Sequence, residues 1–126
     1  MDEKVRLLVV VEDEVDIRLL IRMTLMADAR IELFGEASDA AAAIELAKVA
    51  LPGLIILDHS IEGDVMGLAA APLLKAVAPE SKILLFTAFD LAEAAAAEPA
   101  VDAYLSKSQL DRLLPTVQAM LGLTPS

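Results

Sequence analysis

Three short runs constrain this chain more than anything else in it: VRLLVVV at residues 5–11, LIIL at 54–57 and KILLF at 82–86. They are rich in branched or long apolar residues, with no polar residue alternating through them, as expected of strands covered on both faces. IELFGEA from Ile31 and DAYLS from Asp102 add two shorter candidates, which makes five strands. The segments between them have helical length and composition. In DEVDIRLLIRMTLMAD the apolar positions Leu19, Leu20, Met23, Met26 and Ala27 fall on one side of a helix, and that side is expected to face the core. Ser38 and Asp39 are candidate caps for a helix through AAAAIELAKVA, which Pro52-Gly53 would end. A third helix should follow Gly67, kinked or delayed by Pro72. AEAAAAE suits a short fourth helix, and SQLDRLLPTVQAML a fifth with Pro115 inside it.

Strand and helix therefore alternate five times. Each parallel connection needs a crossover, nearly always right-handed, so the expected class is α/β: a doubly wound, five-stranded parallel sheet with helices on both faces. In such sheets, ligands gather outside the carboxyl ends of the strands. At 126 residues the chain has the size of one domain. No apolar run approaches the roughly eighteen residues of a membrane span. The N-terminus MDEKVR lacks the apolar segment of a secretory signal, so the expected location is the cytoplasm, with no membrane partner. With no cysteine and a single histidine, any metal here would be held by oxygen. Twenty acids against ten bases give a net charge of -10, which argues against nucleic-acid binding by this chain.

The chemistry gathers just past the strands. Glu12 and Asp13 follow the first, Asp58 the third, Thr87 the fourth and Lys107 the fifth, and the topology brings all five to one edge. Three carboxylates there repel one another, by roughly 4 kcal/mol per pair at about 4 Å and an effective dielectric near ~20. A cation must compensate, or protons must be taken up. Mg²⁺ suits the place, since it takes one or two carboxylates plus water and leaves positions for phosphate oxygens. Lys107 adds a fixed positive charge, the Thr87 hydroxyl can donate to an oxyanion, and Asp58 is the candidate nucleophile. This is the inventory for phosphoryl transfer to a carboxylate.

VEDE at 11–14, LIILD ending at Asp58, LLFTA around Thr87 and AYLSK ending at Lys107, in that order and spacing, resemble the receiver domain of two-component response regulators over Val5 to Leu121. The resemblance implies the flavodoxin-like receiver fold, and acceptance of a phosphoryl group on Asp58 from a histidine kinase or a histidine phosphotransfer protein. It implies Mg²⁺ ligation by Asp13 and Asp58, with Glu12 acting through water and the backbone carbonyl of Ser60 as the third protein ligand. Lys107 would pair with the phosphoryl group, Thr87 would swing to bond it, and Tyr104 would turn inward in concert. The surface of the fourth helix, fifth strand and fifth helix would change for a protein target or a second copy of the chain, a population shift between two packings. Ser60 and Phe89 stand where the family tunes the lifetime of the phosphoaspartate. The large, apolar Phe89 is expected to hinder an attacking water and slow self-dephosphorylation. Only GLTPS follows Leu121, so the expectation is a receiver over 1–121 with a tail at 122–126, either stand-alone and chemotaxis-regulator-like or a domain cut from a longer chain. No output domain is expected, nor any enzymatic turnover beyond loss of its own phosphoryl group.

The chain departs from the family pattern in places. Ile61 and Glu62 replace a common Met-Pro pair, and the loop from Glu62 to Gly67 is slightly long. Ser108 follows Lys107 where a proline, commonly cis, is usual; a cis bond without proline costs about 3 kcal/mol, so a trans bond is expected. The segment from Thr87 to Lys107 is short, and Ala100 replaces a common helix-ending glycine. A shortened or irregular fourth helix follows, with a partner or dimer mode unlike the commonest ones. His59, one step along the strand from Asp58, should point to the opposite face and serve packing.

Taken singly, Asp58 could cap a segment, Glu12 and Asp13 could be a solvated helix start, and Tyr104 could fill the core. The ordered set argues against the first two. A haloacid-dehalogenase-type phosphatase uses similar groups, but its nucleophile leads the chain and a second aspartate lies two residues on, where Ser60 stands. A flavodoxin-like carrier would need hydroxyls and amides where VEDEVD would repel a flavin phosphate. A degenerate receiver that binds partners without phosphorylation is the remaining alternative.

Overall fold

The unalternated runs form the middle of a sheet buried on both sides. The computed structural model describes residues 5–125. Five parallel strands, β1 (Arg6–Val11), β2 (Ile31–Ala37), β3 (Leu54–Leu57), β4 (Lys82–Thr87) and β5 (Ala103–Ser106), pair in the order β2-β1-β3-β4-β5. The helices are α1 (Val15–Leu25), α2 (Ala40–Ala50), α3 (Gly67–Val77), α4 (Ala92–Ala97) and α5 (Leu113–Met120), the last entered through a 3-10 helix over Lys107–Arg112.

Successive strand residues point to opposite faces, so the runs divide between two cores. Val9, Val11, Ile55, Leu57, Ile83 and Leu85 pack under α2, α3 and α4. Leu8, Val10, Leu54, Ile56, Leu84 and Phe86 pack under α1 and α5. The alanine tracts supply small packing faces: Ala43 and Ala47 of α2 and Ala70 and Ala71 of α3 are fully buried. Asp39 caps α2, its carboxylate accepting from Ala42 N at 2.8 Å, and the chain leaves that helix through Leu51 in the left-handed region.

The α1 expectation is overturned. Leu19, Leu20, Met23, Met26 and Ala27 are exposed, while Ile21 and Leu25, with Ile17 beside them, face the sheet. The helix carries two apolar stripes, and Arg18 and Arg22 lie between them. Both arginines pair with Glu36 of β2, which turns the Ile21 stripe inward. Nor does Pro72 delay α3, which begins at Gly67 and runs through it. Pro72 sits on the exposed side, where the carbonyl one turn back can reach water. Pro115 lies in the first turn of α5, where a missing N–H removes no helix bond. The fourth helix is short, at 6 residues, with no side-chain cap at its start.

In β2 the pairing slips by one: Leu8 lies opposite Leu33 but Val9 opposite Gly35, leaving Phe34 unpaired and exposed. Beyond the slip the strand ends align. Val11 lies opposite Ala37 and Leu57, Leu57 opposite Leu85, and Thr87 opposite Ser106.

Candidate functional site

That alignment gathers the residues just past the strands. Glu12 N donates to Ala37 O at 2.9 Å and Asp58 N to Val11 O at 3.0 Å, so the ladder still holds both backbones while their side chains project beyond it. Carboxylate oxygens of Glu12, Asp13 and Asp58 lie within 4.8 Å of one another. Glu12 and Asp58 are buried and Asp13 is half-buried. Lys107, directly after β5, reaches in: its Nζ lies 2.8 Å from Asp58 Oδ2 and 2.8 Å from Glu12 Oε1.

One ammonium among three carboxylates leaves the pocket short of positive charge. Burial pushes the Glu12 carboxyl up to about 7, with the Asp58 charge acting in the same direction and the Lys107 and Glu14 N–H groups opposing it. Burial would lower Lys107, but the bonds to Asp58 and Glu12 outweigh it and hold the ammonium above its ordinary value. Glu12 Oε1 meets Lys107 as an ion pair without a well-aligned hydrogen bond, and Asp58 Oδ1 is buried with no hydrogen-bond partner among the described residues. Converging carboxylate oxygens, one of them buried without a donor, in a pocket of excess negative charge, fit a hard divalent cation such as Mg²⁺.

The other expected residues lie on β4, on β5 and in the loops after β3 and β4. Thr87 ends β4 fully buried, and its Oγ1 accepts from Phe89 N at 3.4 Å. Tyr104 is half-buried on β5; its hydroxyl donates to Phe89 O at 2.8 Å and accepts from Leu91 N at 3.5 Å. Phe89 is 52% exposed. Ser60 is half-buried in the loop after Asp58. The Lys107–Ser108 bond is trans, as is every described peptide bond. His59 Nδ1 accepts from Leu68 N at 3.2 Å at the start of α3, and the ring meets Phe89 edge to face, centroids 6.0 Å apart.

Three residues escaped the sequence reading. Gly67 N donates to His59 O at 2.8 Å, and a Cβ at Gly67 would lie 2.0 Å from the Asp58 carbonyl oxygen, so only glycine lets α3 begin against the Asp58 loop. Arg18 Nη1 donates to Glu12 O at 2.8 Å, and Glu36 pairs with that arginine. The one signal for Arg18 was a basic residue on the helix directly after the acid pair.

The family model for the response regulator receiver domain matches residues 8–118. This chain belongs to that family. It is a receiver domain of two-component systems, and its fold is that of solved receiver domains. The response regulator domain of Thermotoga maritima CheB matches with a TM-score of 0.83 at 16% identity, over 97% of this chain and all of that one. The signal receiver domain of the response regulator NarL from Mycobacterium tuberculosis matches with a TM-score of 0.85 at 25% identity, over 95% of this chain and 98% of that one. A LuxR-family response regulator from Aurantimonas sp. SI85-9A1 matches with a TM-score of 0.85 at 24% identity, over 94% and 86%. No curated protein matches the receiver's sequence. Among its described residues no helix is long and apolar enough to cross a membrane.

Proposed function

We propose that this receiver domain accepts a phosphoryl group on Asp58 from the phosphohistidine of a histidine kinase or histidine phosphotransfer protein. The observation that carries the proposal is the asymmetry of the Asp58 carboxylate: Lys107 holds Oδ2 at 2.8 Å, while Oδ1 is buried without a hydrogen-bond partner among the described residues. A lone pair of Oδ1 attacks phosphorus, the new P–O bond forms as the P–N bond to the donor imidazole breaks, and the leaving nitrogen keeps the electron pair. Asp13 and Asp58, with Glu12 through water and the Ser60 carbonyl, would hold Mg²⁺, which supplies charge neutralisation for the phosphoryl oxygens. Lys107, already inside the pocket, adds a second cation to those oxygens.

The signal follows from what Thr87 gives up. Its bond from Phe89 N is long, at 3.4 Å, so little is lost when the hydroxyl turns to a phosphoryl oxygen. Tyr104, half-buried and bonded through its hydroxyl to the Phe89 carbonyl, then moves in concert with the buried Thr87. The short α4 leaves a cleft of about 240 Å³ against β5, lined by Ala92, Ala95, Val101 and Tyr104, so this movement reshapes a protein-binding face unlike one built on a full-length helix. Ser60 and Phe89 set the lifetime of the acyl phosphate, with Phe89 slowing the approach of water.

Intact mass after incubation with Mg²⁺ and acetyl phosphate tests the reading. One added phosphoryl group on the parent and none on Asp58→Asn is the expected result. If the parent stays unmodified, the pocket is idle and a phosphorylation-independent binding module becomes the better account.

A further inference from the structure

Glu12 is tied on both sides of its α-carbon. Its N–H is bound to Ala37 O of β2, and its carbonyl accepts from Arg18 Nη1 of α1 at 2.8 Å. The Glu12 carbonyl and the Asp13 nitrogen and α-carbon belong to one rigid peptide plane, so whatever fixes that oxygen helps to fix the place from which the Asp13 side chain departs. Arg18 is itself held: its Nε lies 3.1 Å from Glu36 Oε1, both side chains are 20% exposed, and Arg22 Nε donates to the other Glu36 oxygen at 2.9 Å. The chain of contacts runs from β2 through Glu36 and Arg18 to the peptide that carries the acid pair.

We infer that Arg18 is a positioning residue for the divalent-metal site: it clamps the Glu12–Asp13 peptide so that both carboxylates converge with Asp58, and Glu36 holds the clamp. The inference rests on the reading of the pocket as a Mg²⁺ site. The guanidinium suits the task because its donors form a planar fork, one prong for the carbonyl and one for Glu36. A lysine in the same place has a single ammonium on a flexible stem and cannot satisfy both partners in fixed directions. Mg²⁺ is the ion most sensitive to such a clamp, because it demands near-octahedral geometry from few protein ligands.

Calorimetric titration of the whole chain with Mg²⁺, alongside the amide NMR shift of Asp13, tests the inference without any phosphoryl donor. The parent should bind. Arg18→Ala should bind on the order of 10-fold more weakly, the effect typical of removing an outer partner of a metal ligand, and move the Asp13 amide before metal is added. Arg18→Lys should recover only part of that loss. Arg30→Ala, which removes a buried ion pair beside Asp28, serves as the control for general destabilisation and should stay within about twofold of the parent. Arg18→Ala binding as tightly as the parent, or Arg30→Ala binding as weakly as Arg18→Ala, would overturn the clamp while leaving the metal reading intact. If Arg18→Ala does not fold, Arg18→Lys decides: parent-like binding overturns the inference, and weakened binding supports it. A parent that binds no Mg²⁺ overturns both.

Discussion

Replacing Asp58 by asparagine takes one of three negative charges out of a pocket that holds a single ammonium, and keeps the shape of the side chain. Lys107 still has Glu12 as a partner, and Glu12 loses a like charge that disfavours its ionisation. Without metal, Asp58→Asn should therefore unfold at higher urea than the parent, by about 1 kcal/mol, while losing phosphoryl loading altogether. A midpoint equal to or below the parent's would show that the pocket is not electrostatically strained. Asp58, Glu12, Asp13, Thr87 and Lys107 were legible in the sequence because each stands directly after, or at the end of, an apolar strand whose topology fixes where it goes. Arg18 and Glu36 were not. An arginine on a helix and a glutamate on a strand read as ordinary surface charges until the rotation of α1 about its axis is known.

That rotation is where the sequence misled at the scale of elements. With apolar stripes on two sides of α1, periodicity says that the helix is amphipathic without saying which stripe the sheet takes. The sheet takes the Ile21 and Leu25 stripe, with Arg18 and Arg22 paired to Glu36 at the β2 edge and Met23 and Met26 left in solvent. Leu25→Ala should cost about 2–5 kcal/mol in urea unfolding, whereas Met23→Ala should stay within about 0.5 kcal/mol of the parent. Equal costs would restore the first facing. The shortness of α4 was legible from the length of its segment and the start of α3 from Gly67, but the need for glycine there was not, because a close backbone approach leaves no periodic trace. Gly67→Ala forces its new carbon to within 2.6 Å of His59 Cα and closer still to the Asp58 carbonyl. The loop or the helix must shift. The expected outcome is a loss of at least about 2 kcal/mol together with impaired phosphoryl loading by intact mass, and normal loading would count against the tight coupling of α3 to Asp58.

Across the whole molecule, the two cores and the parallel sheet were legible because strands covered on both faces have no polar alternation to confuse the reading. The ties that close the far edge were not, since they join residues distant in sequence. Asp28, buried after α1, accepts from Arg30 Nε at 2.9 Å, Arg30 Nη2 at 2.7 Å and Gln118 of α5 at 2.9 Å, and Arg30 goes on to the Thr124 carbonyl. The Arg30 guanidinium, then Gln118, hold the Asp28 carboxyl well below the usual carboxylate range. A depressed carboxyl stabilises the fold above its unfolded value of about 3.9, and that contribution is lost as pH falls further toward the folded value. Asp28→Asn should melt below the parent at pH 7, and the gap should narrow progressively below about pH 4. An undiminished gap at pH 3 would assign the difference to packing instead.

The pocket draws Glu12 and Asp13 from near one end of the chain, Asp58 from its middle and Lys107 from near the other end. During synthesis, Asp58 leaves the ribosome well before the lysine that pairs with it. Copies in which β5 has not docked consequently lack the pocket's ammonium, however much of the rest of the sheet they have formed. The charge pairing of the pocket is thus complete only once β5 has joined the sheet.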